Sequence, residues 1–277
     1  MKYIAFIAAF ATSPAVADQA VSINFAGEIA GKPFSCTETY DGVGAKASTV
    51  KGIDYRLFVS GAALIRADGT AQPIALEQDG KWQLDDLALL DFEDGSGGCS
   101  TGTAEINTTL RGTVPEGDYV GLSFALAVPF DKNHIDPTLA APPLNTTAMF
   151  WNWQGGYRFL RIDMVPVGQA ADGPKGWFLH LGSTLCPAAS KTEAPSAACK
   201  NPNYLPVSFA AFDPATNVVV IDPANVVAEA DMTVNAAETS PGCMSFPDDA
   251  DCTTVMTKLG LPYGDIPAGV QQLVSMR

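Results

Sequence analysis

The sequence predicts an all-β protein: an antiparallel β-sandwich-like domain with long loops, few short helices and stapling disulfide bonds. Apolar and polar residues alternate with a period of two in most segments, for example at residues 21–25 and 55–59. That period is typical of a half-buried strand. Glycine, proline, asparagine and aspartate cluster between these segments, which indicates turns. The chain of 277 residues also contains six cysteines, which suit a stapled fold.

Further elements follow along the chain. Strand-like patterns continue at residues 119–130, 157–165, 177–181, 207–212 and 217–221. The helix candidates are residues 226–237 and 251–259, the second with Asp251 as its cap. Residues 183–206 are rich in alanine, proline, serine and lysine, so we predict a long surface loop pinned by a cysteine pair.

The first 17 residues resemble a secretory signal peptide. Lys2 precedes an apolar run at residues 3–11, Pro14 interrupts it, and small residues follow up to Ala17. The run is much shorter than the roughly 20 apolar residues that cross a bilayer. We therefore expect an exported, periplasmic protein that is not embedded in a membrane, with residues 18–277 forming a single β-rich domain.

The charge balance is strongly acidic. The chain carries 30 aspartates and glutamates against 16 lysines and arginines, a formal net charge of −14. Such a surface repels nucleic acid and anionic lipid, and it attracts metal ions and basic proteins. Charge alone favours the simpler interpretation that acidity keeps an exported protein soluble.

The cysteines are expected to form disulfides, because an exported chain folds in an oxidising compartment. Six cysteines allow 15 pairings, so the sequence does not fix the connectivity. Short loops favour Cys186–Cys199 and Cys243–Cys252, which leaves Cys36–Cys99. A metal-thiolate site is disfavoured because no C-x-x-C motif is present.

The chain has two histidines, His134 and His180. His134 follows a strand-like segment, and His180 lies within or at the end of another. Imidazole suits copper, nickel and zinc. A pair separated by this much sequence is not a metal motif, and spacing alone favours a structural role for each histidine.

Residues 149–159 form an aromatic segment in which Trp151 and Trp153 stand two residues apart. In a strand these two rings and Met149 share one face. On physical grounds the favoured interpretation is an aromatic ladder in the core beside a glycine bulge. The functional alternative is a tryptophan that meets a metal or becomes oxidised.

An acidic turn at residues 91–98 loosely resembles a calcium loop but lacks the full EF-hand pattern. A solvated turn is the favoured interpretation, and calcium is a minor candidate ligand. The sequence contains no G-x-S-x-G, H-E-x-x-H or P-loop motif. We therefore expect a binding protein and not an enzyme.

Several segments together resemble the MbnP family, also described as metallo-mystery-pair four-Cys proteins. They are residues 34–36, 54–60, 90–95 with Cys99, and 129–134, together with the more specific stretches 149–159 and 180–186. The resemblance covers about residues 20–215. Thr184 and Leu185 depart from the small residue that the family pattern places before Cys186, which bears on loop shape more than on ligands.

The resemblance implies an exported copper-binding protein acting in copper homeostasis or acquisition. It implies a dihaem, peroxidase-like partner, MbnH, that oxidises a tryptophan to kynurenine; here Trp151 or Trp153 is the candidate. Opening the indole creates an aryl amine that can ligate copper, whereas an indole nitrogen is only a donor. Carried over, His134 and His180 become imidazole ligands, and Met149 becomes a candidate soft ligand for Cu(I), with core packing as its alternative.

Two other functions remain open. A structural or adhesive exported sandwich would use its histidines and tryptophans in the core, without a metal site. A copper oxidase would need a substrate pocket, which nothing in the sequence supplies. We rank copper binding first, the structural protein second and the oxidase third.

Overall fold

The computed structural model describes residues 17–168 and 175–277. The predicted signal peptide lies outside the described residues except for Ala17. None of the helices in the described ranges is long and apolar enough to cross a membrane.

Eighteen strands account for most of the regular structure of these residues. In chain order they are β1 (Asp18–Ile29), β2 (Lys32–Pro33), β3 (Thr39–Val43), β4 (Ser48–Arg66), β5 (Ala71–Pro73), β6 (Ala75–Leu76), β7 (Gln83–Leu84), β8 (Leu87–Asp91), β9 (Thr109–Pro115), β10 (Tyr119–Leu126), β11 (Phe150–Asn152), β12 (Gly156–Tyr157), β13 (Leu160–Pro166), β14 (Trp177–Leu181), β15 (Leu205–Phe209), β16 (Val218–Ile221), β17 (Gly242–Cys243) and β18 (Val274–Met276). Two short α-helices, α1 (Phe130–Asn133) and α2 (Cys252–Lys258), and a 3-10 turn (Thr147–Met149) complete the set.

The strands form two large sheets and one small hairpin, which confirms the predicted all-β class. The six-stranded sheet runs β18-β16-β1-β9-β6, with β2 beside β1. The ten-stranded sheet runs β15-β10-β4-β13-β14-β17, with β3, β5, β7 and β8 attached around β4. β11 and β12 pair separately. Most pairs are antiparallel as predicted, but β1–β16 and β14–β17 are parallel.

The core lies between the two large sheets. Phe25 of β1 meets Phe124 of β10 edge to face, with ring centroids 5.8 Å apart. The hydroxyl of Tyr55, on β4, donates to the carbonyl of Ile221 on β16 at 2.6 Å. Burial raises the pKa of this phenol well above its ordinary value, so the hydroxyl remains a donor at neutral pH. Apolar packing and a buried hydrogen bond thus join the sheets.

The helical predictions had mixed outcomes. Helix α2 confirms the segment 251–259, but the Asp251 side chain makes no capping hydrogen bond; instead its Oδ2 accepts from the backbone of Ala236 at 2.8 Å. The helix predicted at 226–237 was wrong, because that stretch folds into turns. In one of them the Asp231 carboxylate accepts from the backbone N–H of Thr233. Aspartate commonly competes with helix formation in this way.

The disulfide prediction is confirmed. The structure pairs Cys36 with Cys99, Cys186 with Cys199, and Cys243 with Cys252. The second pair pins the long loop between β14 and β15, and a bridge between Thr184 and Asn201 closes the base of that loop. The loop predicted at 183–206 therefore exists.

Candidate metal centre

One face of the ten-stranded sheet carries a buried charged ladder, which we define as Asp54, Arg56, Arg161, Asp163 and His180. The sequence dictates its geometry. Residues two apart on a strand share a face, and the register places Arg56 opposite Arg161 and Arg161 opposite His180 across β4, β13 and β14. Each of these strands is otherwise largely apolar and buried.

Alternating ion pairs hold the ladder together. Arg56 pairs with Asp54 on its own strand, Arg161 reaches Asp54 at 3.0 Å, and Arg161 also binds Asp163 at 2.8 Å. His180 Nε2 lies 2.6 Å from Asp163 Oδ1. Burial alone would raise the pKa of Asp163, but His180 and Arg161 hold it below its ordinary value. Asp163 is therefore an ionised acceptor at the end of the ladder.

His180 is fixed as one tautomer by its two neighbours. Arg158 Nε, which can only donate, lies 3.3 Å from His180 Nδ1. Nδ1 must therefore carry the lone pair, and Nε2–H donates to Asp163. Burial lowers the pKa of this imidazole in spite of the nearby carboxylate. His180 thus presents a neutral ring with one lone pair, at Nδ1.

His134, which follows α1, is fixed in the opposite tautomer. Asn133 Oδ1 accepts from the backbone N–H of Tyr157 at 2.8 Å, so Asn133 Nδ2 must be the group that donates to His134 Nε2 at 3.1 Å. His134 Nδ1–H then donates to the carbonyl of Trp153 at 3.1 Å. Burial lowers the pKa of this imidazole as well. Its lone pair, at Nε2, lies 3.8 Å from Cys199 Sγ.

The β11–β12 hairpin touches both histidines. The Trp153 carbonyl accepts from His134, while the Trp151 ring lies 6.4 Å from the His180 ring. Gly182 permits this approach, because a Cβ there would lie 2.5 Å from Trp151 Cζ3. The sequence segment that carries both tryptophans therefore connects the two imidazoles.

The two tryptophans differ in their surroundings. Trp151 packs between Phe246 and Arg158, whose guanidinium carbon lies 5.5 Å from its ring centroid. Its Nε1 is buried, and within the part of the chain that the structure describes it has no hydrogen-bond partner. Trp153 packs against Phe150.

The predicted shared face of Met149, Trp151 and Trp153 was wrong. β11 spans only Phe150–Asn152, so Trp153 lies in the following turn. The Asn152 side chain accepts from the Gly155 backbone at 2.8 Å and closes that turn. Met149 ends the 3-10 turn and is fully buried in the hydrophobic core, in agreement with its packing alternative.

The acidic turn is organised around arginine and its own backbone. Asp91 and Glu93 are buried, and Glu93 Oε1 lies 3.6 Å from Arg56 Nη1. Asp94 is exposed and accepts from Ser96. Burial raises the pKa of Asp91 to about 8, with Glu93 adding to the shift. These contacts account for the shape of the turn. Calcium binding there stays a prediction that nothing in the structure tests.

The structure places both predicted imidazole ligands against the β11–β12 hairpin, His134 at the Trp153 carbonyl and His180 beside the Trp151 ring. Among the described residues, no set of three histidine, cysteine or carboxylate ligand atoms lying within 4.8 Å of one another contains both histidines. A surface cavity of about 280 Å³ opens beside the hairpin and is lined in part by Asn152, Gly155 and Phe246.

Sequence reasoning missed Asp163 and Arg158. A signal for Asp163 was present, since charged residues two apart inside apolar strands, as at 54 and 56 or 161 and 163, indicate a polar row on one face. Their partners depended on a strand order that the sequence did not supply.

Comparisons with known proteins agree with this architecture. The MbnP family model matches residues 18–245. The solved structure of MbnP from Methylosinus trichosporium is similar, with a TM-score of 0.83 and 33% sequence identity, covering 94% of this chain and 99% of that chain. None of the curated protein sequences compared with the chain matches it.

Proposed function

Because the chain belongs to the MbnP family, we propose that it is an exported protein that binds copper through His134 and His180. We further propose that Trp151 is the tryptophan oxidised to kynurenine, by a dihaem MbnH-like partner. The three disulfides support export to an oxidising compartment such as the periplasm. The role is copper homeostasis or acquisition.

The observation that carries the proposal is that each histidine donates one ring N–H to an oxygen acceptor. Metal-binding histidines usually donate the second ring N–H to a carboxylate or a backbone carbonyl. His180 does so to Asp163, and His134 does so to the Trp153 carbonyl. Each ring is therefore neutral and carries one lone pair, which is the form of imidazole that a metal requires. Two imidazoles fit copper.

The choice of Trp151 follows from its contacts. Its ring lies beside His180, whereas Trp153 offers His134 only a backbone carbonyl. Its indole N–H has no partner among the described residues, so conversion of the ring would break no hydrogen bond at that atom. An aryl amine formed there would add a ligand next to an imidazole.

A structural role is the second candidate, and one observation favours it. Both imidazole lone pairs already have donors, Asn133 for His134 and Arg158 for His180. A core polar network that is complete without metal would look the same.

Peptide mass spectrometry distinguishes the two. Trypsin should release residues 133–158, which hold His134 and both tryptophans. Protein purified from its native periplasm should carry one kynurenine, and fragment ions should place it at position 151. Trp151→Phe should remove the modification, and the matched control Trp153→Phe should keep it. An unmodified peptide from cells that express the partner would contradict the kynurenine proposal and move the structural protein to first place.

Copper stoichiometry tests the ligands separately. The oxidised protein should bind one copper ion, and His134→Gln or His180→Gln should each abolish tight binding. If both variants retain it, the ligand assignment is wrong whatever the state of Trp151.

A further inference from the structure

The Arg158 guanidinium occupies an unusual position for a half-buried cation. Its Nη1 donates to the carbonyls of Ala148 at 3.0 Å and Phe150 at 2.9 Å, and its Nε donates to His180 Nδ1. Among the described residues, Arg158 forms no salt bridge, since no carboxylate oxygen lies within 4.0 Å of its guanidinium nitrogens. Charges that are partly removed from water are normally paired, and here the neutral acceptors His180, Ala148 and Phe150 take the place of a carboxylate.

We infer that Arg158 masks the metal-binding lone pair of His180 and must withdraw before His180 can ligate a metal. This inference rests on the proposed copper function and names the residue that controls access to one of its ligands. Arg158 is a positioning residue, because it acts through the imidazole.

The geometry supports masking in two ways. An imidazole nitrogen has a single lone pair, so Nδ1 cannot accept from Arg158 and coordinate a metal together. A guanidinium at hydrogen-bond distance from that nitrogen would also lie close to a metal cation on it, and like charges repel strongly in a partly desolvated site. Both effects oppose binding until Arg158 moves.

The same guanidinium links His180 to Trp151. It lies over the Trp151 ring, 5.5 Å from the centroid, where the π face attracts a cation. A chemical change of this ring alters one of the surfaces that hold Arg158 in place. The state of residue 151 and the availability of His180 are therefore coupled through one side chain.

The test uses full-length protein made without the oxidising partner, so that Trp151 stays intact. Arg158→Gln removes the charge and keeps a donor for the backbone carbonyls. Titration with Cu(II) against a chromophoric competitor should show a gain in affinity of about tenfold or more, because a positive charge leaves the neighbourhood of the bound cation. Arg158→Lys, which keeps the charge, should gain less. Arg66→Gln, which removes a charge paired with Tyr119, is the matched control and should gain nothing.

Two outcomes would overturn the inference: Arg158→Gln binds copper no more tightly than wild type, or its gain persists when His180 is also replaced by Gln. Nitrogen-15 NMR of the metal-free protein gives a second readout. The His180 Nδ1 resonance should move towards that of an unbonded nitrogen in Arg158→Gln, and an unchanged resonance would refute the contact. Since this arm needs no copper, it separates failure of the inference from failure of the proposed function.

Discussion

Replacing Asp163 by asparagine should destabilise the fold substantially, because this carboxylate is the buried end of the charged ladder. It is 2% exposed and accepts from His180 Nε2 at 2.6 Å and from Arg161 Nε and Nη2 at 2.8 Å each. Breaking a buried ion pair by removing one partner costs about 3–5 kcal/mol. Asparagine keeps one oxygen for His180, a bond that contributes about 0.5–1.5 kcal/mol. We therefore expect a loss of about 2–4 kcal/mol in the free energy of unfolding.

Urea unfolding at pH 7, with the disulfides intact and tryptophan fluorescence as the signal, measures this difference by linear extrapolation. Asp94→Asn is the matched control, because Asp94 is exposed and accepts from Ser96, so its replacement should cost less than about 1 kcal/mol. A loss below about 1 kcal/mol for Asp163→Asn with an unchanged m value would refute the ladder's energetic role.

Acid titration tests the contribution of the Asp163 carboxylate to stability in a second way. The pKa of Asp163 is lowered in the folded state. Its carboxylate therefore stabilises the fold above the unfolded pKa of about 3.9, and this stabilisation disappears as the pH falls through the lower folded value. The difference between wild type and Asp163→Asn should shrink as the pH falls below the unfolded pKa.

Two further predictions concern the rest of the site. Gly182→Ala should shift the Trp151 ring, change its fluorescence and lower the free energy of unfolding by about 1–3 kcal/mol, because the new Cβ would lie 2.5 Å from that ring. Gly155→Ala is the control, since its Cβ would lie 3.4 Å from the same ring. Equal effects of the two substitutions would contradict the steric argument. Asp91, with a pKa of about 8 in the folded state, binds a proton between about pH 4 and about pH 8 that the unfolded chain has lost, so its contribution to the free energy of unfolding should fall as the pH rises through that range. In urea titrations at several pH values, Asp91→Asn should make the slope of the free energy of unfolding against pH more positive than in wild type, and an unchanged slope would contradict the raised pKa of Asp91.

The parts of the fold that could be predicted are those that a local sequence pattern specifies. The period-two segment at 177–181 became β14 with the expected bounds, because its alternation and flanking glycines are local properties. Short sequence separation likewise favoured the pair Cys243–Cys252. The parallel pairing of β1 with β16 joins segments nearly two hundred residues apart, and no local signal encodes such a partner.

The site was predictable only in its parts. Both histidines and Trp151 were candidates by residue type, but the tautomer of each imidazole depends on which neighbour donates to it. Arg158 follows the hairpin directly, yet its contact with His180 exists only because β13 pairs with β14. The tryptophan pair shows the opposite error, since a sidedness rule that holds for strands was applied across a turn.

The lone pairs of the two imidazoles face different donors, and this difference indicates which histidine limits access to the site. The lone pair of His134 faces the neutral amide of Asn133, so a metal bound there would meet no positive charge from this neighbour. The lone pair of His180 faces a guanidinium for which no carboxylate stands within salt-bridge distance among the described residues. A complete buried ion pair adds little net stability even though the loss of one partner is costly, so the presence of the ladder behind His180 is better explained by the orientation that it gives the imidazole. Asp163 holds the ring in one tautomer and Arg158 covers the atom that this tautomer exposes. If the chain binds copper as proposed, metal loading would be limited at His180, at the point where Trp151 also contacts the arginine.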